Sequence, residues 1–370
     1  MEPHGPQARL GHRPSLDGVR GVAIACVVLN HTVGYPGMGF TGVDLFFVLS
    51  GFLITTLLLE EHAQNGRVSL GNFYRRRALR LLPALVAFLA VFLVYAAVRG
   101  PVRGMNFDEA LFGVAAGLGY FTNIAMGFED NAIPFELRHL WSLAIEEHFY
   151  IVWPPVLFLV LRGRKRLALG VLGVAIVLSV VQQIRLVEDG AISQRIVFGT
   201  DTRISSIAFG CIVAVALALS TSARVRVESF ARTVFPLVFA CFLVLLFIHP
   251  RVSLFSAWMV LYGACCALLI VVALDDRTRL ARVLSVRPLA FLGKISYALY
   301  LWHVAIFWAF GLRTVPELMD VPALALSFAF ALASYYLVEM PFLRRKRRLR
   351  SAPDGEHRVP SLPALSPAAP

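Results

Sequence analysis

Charge is what this chain has least of. Only 16% of its 370 residues are Asp, Glu, Lys or Arg, against 58% hydrophobic, a balance far too apolar for a soluble domain. Nor is there a long polar stretch from which an extramembrane catalytic domain could be built, so any chemistry has to take place within a helical bundle or at its mouths. Metal-type cysteine spacing is absent too. Cys26, Cys211, Cys241, Cys265 and Cys266 all stand in apolar runs, which points to reduced packing residues and no metal. No internal repeat suggests the symmetric halves of many transporters. The first 13 residues are polar and the apolar run behind them carries Arg20 and His31, so nothing here resembles a cleavable signal.

What is present is a series of apolar runs with basic ends. Stretches near 17–35, 42–60, 80–98, 140–161, 166–186, 204–220, 233–249, 253–274, 295–312 and 321–340 are long enough to span a bilayer, which predicts an all-α, polytopic bundle of about ten spans. The formal charge of +12 gathers at 75–80, 162–166, 224–226, 277–282 and 344–350. Clusters at the ends of apolar runs report orientation under the positive-inside rule and do not call for nucleic acid. They follow every second span, so both termini are expected to be cytoplasmic. The glycine-rich run 107–128 would flip every later cluster outward if it crossed, which predicts a non-spanning or re-entrant segment buried in protein. The expected organisation is a cytoplasmic segment over 1–14, a membrane domain over 15–345 and a disordered cytoplasmic tail, rich in proline, alanine and serine, over 346–370.

Within the first run, Arg20 and His31 lie eleven positions apart. At about 100° per residue that is close to three full turns, so the two share one helix face, about 16 Å apart. An ionisable residue inside a span marks a functional site by default. His31 can act as a base on a hydroxyl, or can be satisfied by a neighbouring helix. Arg20 can hold an anion deep in the bundle, or snorkel to the cytoplasmic surface. Arg77 and Arg80, with Arg76, form a cationic cluster at the start of the third span, suited to a phosphorylated cofactor or to lipid headgroups. Asp44 can orient an imidazole, bind a sugar hydroxyl or simply start a helix. Glu146 and Glu147 point about 100° apart, so only one is expected to share a cavity with His31. Trp141 and Tyr150 suit an interfacial aromatic belt or, less directly, sugar stacking. Tyr297 and Tyr300 approach a second intramembrane histidine, His303, with Tyr300 three positions away on the same face. Glu339 precedes Met340-Pro341 and can pair with a cytoplasmic arginine.

Taken together, LDGVRGVAIACVVLNH (16–31), GVDLFFVLSGFLIT (42–55), FYRRRALRLLPA (73–84), WSLAIEEHFYIVWP (141–154), LGKISYALYLWH (292–303) and EMP (339–341) resemble the acyltransferase type 3 family of integral-membrane O-acyltransferases. The resemblance implies an acyl-CoA donor, acetyl-CoA foremost, approaching from the cytoplasm. It also implies a carbohydrate or glycosylated acceptor, in a bacterial inner membrane. Under it Arg20, Arg77 and Arg80 bind the donor and His31 is the catalytic base, assisted by Asp44 or Glu146. Trp141, Tyr150, Tyr297 and His303 are the substrate-binding candidates. Some relatives carry an additional extracytoplasmic hydrolase-like domain, for which this sequence leaves no room after its last run. The rival expectation is a proton-coupled transporter or flippase of a lipid-linked sugar or anionic metabolite, with the histidines relaying protons.

Overall fold

Apolar chain in a bilayer has to satisfy its backbone internally, and helices do so within one segment. The computed structural model describes residues 10–33, 38–99, 106–129, 132–161, 165–190, 193–247, 255–309 and 320–351; the first nine residues and most of the tail fall outside these. The regular elements among the described residues are all helices, with no strand. The order is α1 (Pro14–Val33), α2 (Met38–Asn65), α3 (Leu70–Arg99), α4 (Phe107–Leu118), α5 (Thr122–Phe128), α6 (Leu140–Leu161), α7 (Lys165–Glu188) and α8 (Ser193–Phe198). It continues with α9 (Thr200–Leu219), α10 (Thr221–Phe247), α11 (Phe255–Ala273), α12 (Arg279–Leu284), α13 (Arg287–Lys294), α14 (Ser296–Ala309), α15 (Asp320–Ala333) and α16 (Met340–Ser351).

Eight of these helices are long and apolar enough to cross a membrane, and α13 with α14, bent by 71°, would make a ninth. The tenth expected span is α1. Its 20 residues include Asp17, Arg20, Asn30 and His31, and it is not among the eight helices that are long and apolar enough by themselves. Its Ala23, Ile24, Val27 and Val28 are buried in protein, so α1 is an interior helix that can carry ionisable groups.

The 107–128 segment forms two helices of 12 and 7 residues, each too short to cross. Asn106 and Glu109 close a reciprocal cap at the start of α4, and Tyr120, at φ 57°, turns the chain into α5. Burial is one-sided, contrary to the expectation of a segment enclosed by protein: Ala110, Gly113, Val114 and Gly117 pack inward while Leu111, Phe112 and Leu118 are exposed. The segment is amphipathic and has one face to pack.

Two close backbone crossings hold the interior together. At the α2–α9 crossing, a Cβ on Gly210 would collide with the Val48 carbonyl and one on Gly51 with the Ile207 carbonyl. At the other, Gly293 of α13 lies against the backbone of Asp17, and Gly18 against that of Leu284. Small residues permit such approach where no water drives helices together. Gly210→Ala is therefore expected to lower stability by about 1–3 kcal/mol through overpacking, read as a fall in melting temperature.

The basic ends meet on one face of the bundle. Arg13 pairs with Asp276 beyond α11, Arg232 of α10 pairs with Asp275, Arg76 of α3 pairs with Glu61 of α2, and Lys165 donates to the Ala218 carbonyl of α9.

Candidate functional site

At that basic face opens a cavity of about 590 Å³. Helix α1 contributes Arg20, α3 contributes Arg76, Arg77 and Arg80, α2 contributes Ser50 and Glu60, α6 contributes Ser142, Glu146 and Tyr150, and α14 contributes Tyr297 and Tyr300. The arginines are not equivalent. Arg77 makes a two-pronged pair with Glu147, Nε to Oε2 at 3.1 Å and Nη2 to Oε1 at 2.5 Å, and its guanidinium lies 3.2 Å from the centre of the Tyr150 ring. Arg76 is taken by Glu61 at 2.8 Å. Arg20 and Arg80 make no ion pair with any described residue, so the cavity presents two cations open to an anion. Glu339 is buried where the last span continues as a π-helix (Ser334–Glu339), within electrostatic reach of Arg80 but without a hydrogen bond on its Oε1.

The adjacent carboxylates separate as their angular offset requires. Glu147 turns to Arg77, and Glu146 faces the cavity, where its Oε1 accepts from Ser50 Oγ at 3.1 Å. Tyr150, expected in an aromatic belt or at a sugar, is a buried platform under Arg77 on the cavity wall. Tyr297 also lines the wall, with its hydroxyl donating to the Leu81 carbonyl at 3.0 Å.

His31 is not on this cavity. It stands exposed at the far end of α1, and its ring centre lies 5.3 Å from that of His303 on α14. His303 in turn lies 5.8 Å from His139, which immediately precedes α6. Among the described residues no such group is arranged to hold a metal ion. Tyr300 separates these imidazoles from the cavity. Its hydroxyl meets Ser142 Oγ at 2.6 Å and the carbonyl of His139, not His303, and its ring packs 5.3 Å from that of His139. The wall between cavity and histidines is thus about one side chain thick.

Two expected site residues lie elsewhere. Asp44, a candidate partner for His31, is instead clamped by Arg203 at 3.3 Å and Ser206 at 2.9 Å, with both ions fully buried. Trp141, a candidate for stacking a sugar, is buried with the Arg203 guanidinium 5.2 Å from its ring centre. Sequence reasoning missed Arg203, which sits just ahead of the sixth apolar run without a distinctive neighbour. It also missed His139, just ahead of the fourth run, although its place beside Trp141-Ser142 was a usable signal.

A multi-pass helical membrane protein with an arginine-lined cavity buried at one face and a histidine cluster behind it is the class these features define. The model of the Acyltransferase domain family matches residues 13–340, and the chain belongs to this acyltransferase type 3 family. It is similar to the putative peptidoglycan O-acetyltransferase YrhL of Bacillus subtilis, 34% identical over 304 residues that cover 78% of this chain and 48% of the relative. It is also similar to the O-acetyltransferase OatA of Staphylococcus aureus, 31% identical over 350 residues that cover 90% of this chain and 57% of the relative. The chain spans about half the length of the relatives it matches. No solved structure matches it.

Proposed function

We propose that the chain transfers an acyl group, acetyl foremost, from acyl-CoA to a hydroxyl of a carbohydrate or glycosylated acceptor. One observation carries the reading: Arg20 and Arg80, which have no ion-pair partner among the described residues, face a cavity that ends one side chain short of an imidazole cluster. Guanidinium groups without acid partners are suited to donor phosphates, and the Arg77–Glu147 pair stiffens the wall beside them. The thioester end would point toward Tyr300, and His31 would take the proton of the acceptor hydroxyl. With the basic face cytoplasmic, as the positive-inside rule requires, the described ends of the chain are cytoplasmic and His31 lies toward the outer side of a bacterial inner membrane. The name of the Bacillus relative favours a peptidoglycan-like glycan as acceptor.

The test is whether purified protein consumes acetyl-CoA and forms an ester on an added glycan. A proton-coupled transporter or flippase would form none. Arg20→Ala and Arg80→Ala each remove one charged contact, worth about 1.5–3 kcal/mol, so donor affinity is expected to fall about 10- to 100-fold. Binding of CoA measured by calorimetry checks it, and unchanged affinity in both variants overturns the donor assignment.

A further inference from the structure

Three carboxylates considered as partners for His31 are committed elsewhere: Asp44 to Arg203 and Ser206, Glu147 to Arg77, and Glu146 to Ser50 on the cavity side. The neighbour that does face the His31 ring is His303, which is completely buried. Its Nδ1 lies 2.8 Å from the Tyr300 carbonyl and 3.0 Å from that of Leu299. Carbonyl oxygens only accept, so Nδ1 must carry the proton and Nε2 must present its lone pair. That Nε2 is buried and has no hydrogen-bond partner among the described residues. A buried acceptor without a donor is costly, and the ring 5.3 Å away belongs to a histidine with one exposed side. At that separation two imidazoles turned edge to edge bring a nitrogen of each to about 3 Å, the length of a hydrogen bond.

We propose that His303 is the positioning residue of the His31 base: its Nε2 accepts the N–H of His31, fixes that ring in one tautomer and leaves the other nitrogen free for the acceptor hydroxyl. The inference rests on the acyltransferase reading above. In the reaction the acceptor oxygen forms the ester bond and the thioester C–S bond breaks. The hydroxyl proton passes to the free nitrogen of His31 and from its exposed side to solvent, while the thiolate leaves on the cavity side. His303 neither gains nor loses a proton. It shares the charge of the transient His31 imidazolium through the N–H it accepts. A second histidine thereby serves where a carboxylate commonly does.

Three variants test this. His303→Phe keeps the volume and removes the acceptor, whereas His303→Gln can place an amide oxygen where Nε2 was. His303→Phe is expected to lower kcat by about 10²-fold or more with donor KM little changed, and His303→Gln to recover at least about tenfold of that loss. In a His31→Ala background, adding His303→Phe is expected to cost nothing further, since residues acting as a unit are not additive. Equal loss in the Gln and Phe variants, or a full additional loss in the double variant, overturns the proposal. Melting temperatures identify a variant that merely fails to fold. Nitrogen-15 spectra of histidine-labelled protein give a readout independent of turnover: one hydrogen-bonded tautomer of His31 in the unaltered protein and a mixture in His303→Phe. A mixed tautomer in the unaltered protein overturns the positioning role. A single tautomer without ester formation leaves that role standing and overturns the acyltransferase reading instead.

Discussion

Replacing His31 by alanine is expected to lower turnover by about 10²–10⁴-fold while leaving the fold and donor binding intact. The size follows from the proposed role, since a positioned base that takes a proton in the transition state contributes that much. The selectivity follows from the location. His31 is exposed, with its ring beside that of His303, so truncating it opens no core cavity. The arginines proposed to bind the donor line a cavity to which His31 does not contribute. Initial rates with saturating acetyl-CoA, beside CoA affinity and melting temperature, make the check. A folded His31→Ala protein with full turnover would remove this residue from the chemistry and return attention to His139 and His303.

Breaking the Asp44–Arg203 pair from one side is expected to cost about 3–5 kcal/mol of stability. The ions are 0% and 1% exposed and 3.3 Å apart. Their attraction is on the order of 5 kcal/mol at an effective dielectric of about 20. Desolvation of both ions offsets much of that, so the intact pair contributes little net stability, but either ion alone is left in the interior with its full burial penalty. The burden is heavier here because Nε and Nη2 of Arg203 already lack hydrogen-bond partners. Asp44→Ala should therefore melt far below the unaltered protein. Asp44→Leu combined with Arg203→Met, which removes both charges, should recover most of the difference. Thermal unfolding in detergent measures this, and an Asp44→Ala protein within a degree or two of the original would deny the pair its architectural role.

Much of the architecture was legible because hydropathy is a local property. Each long apolar run became a helix, and the charge alternation that set 107–128 apart matches two helices too short to span. The single-face relation of Arg20 and His31 was also legible, because helical phase depends only on spacing. What α1 packs against was not. Its arginine meets a cavity and its histidine a different helix, and Tyr300 parts the two. Asp44 looked available because its partner stands 159 positions away on α9, and no local pattern announces a long-range ion pair. The choice between Glu146 and Glu147 likewise waited on Arg77, 70 positions from Glu147.

The Tyr300 partition bears on a problem the cell faces whatever acceptor is used. A membrane under voltage holds about 2.3 kcal/mol for each charge per 100 mV, and a continuous wet path through a bundle would dissipate it. Here the polar cavity stops at a tyrosine whose hydroxyl is already engaged by Ser142 and a backbone carbonyl, and the imidazoles begin only on its other side. A polar cavity and an imidazole cluster thus come within one aromatic ring of each other with a hydrogen-bonded tyrosine between them.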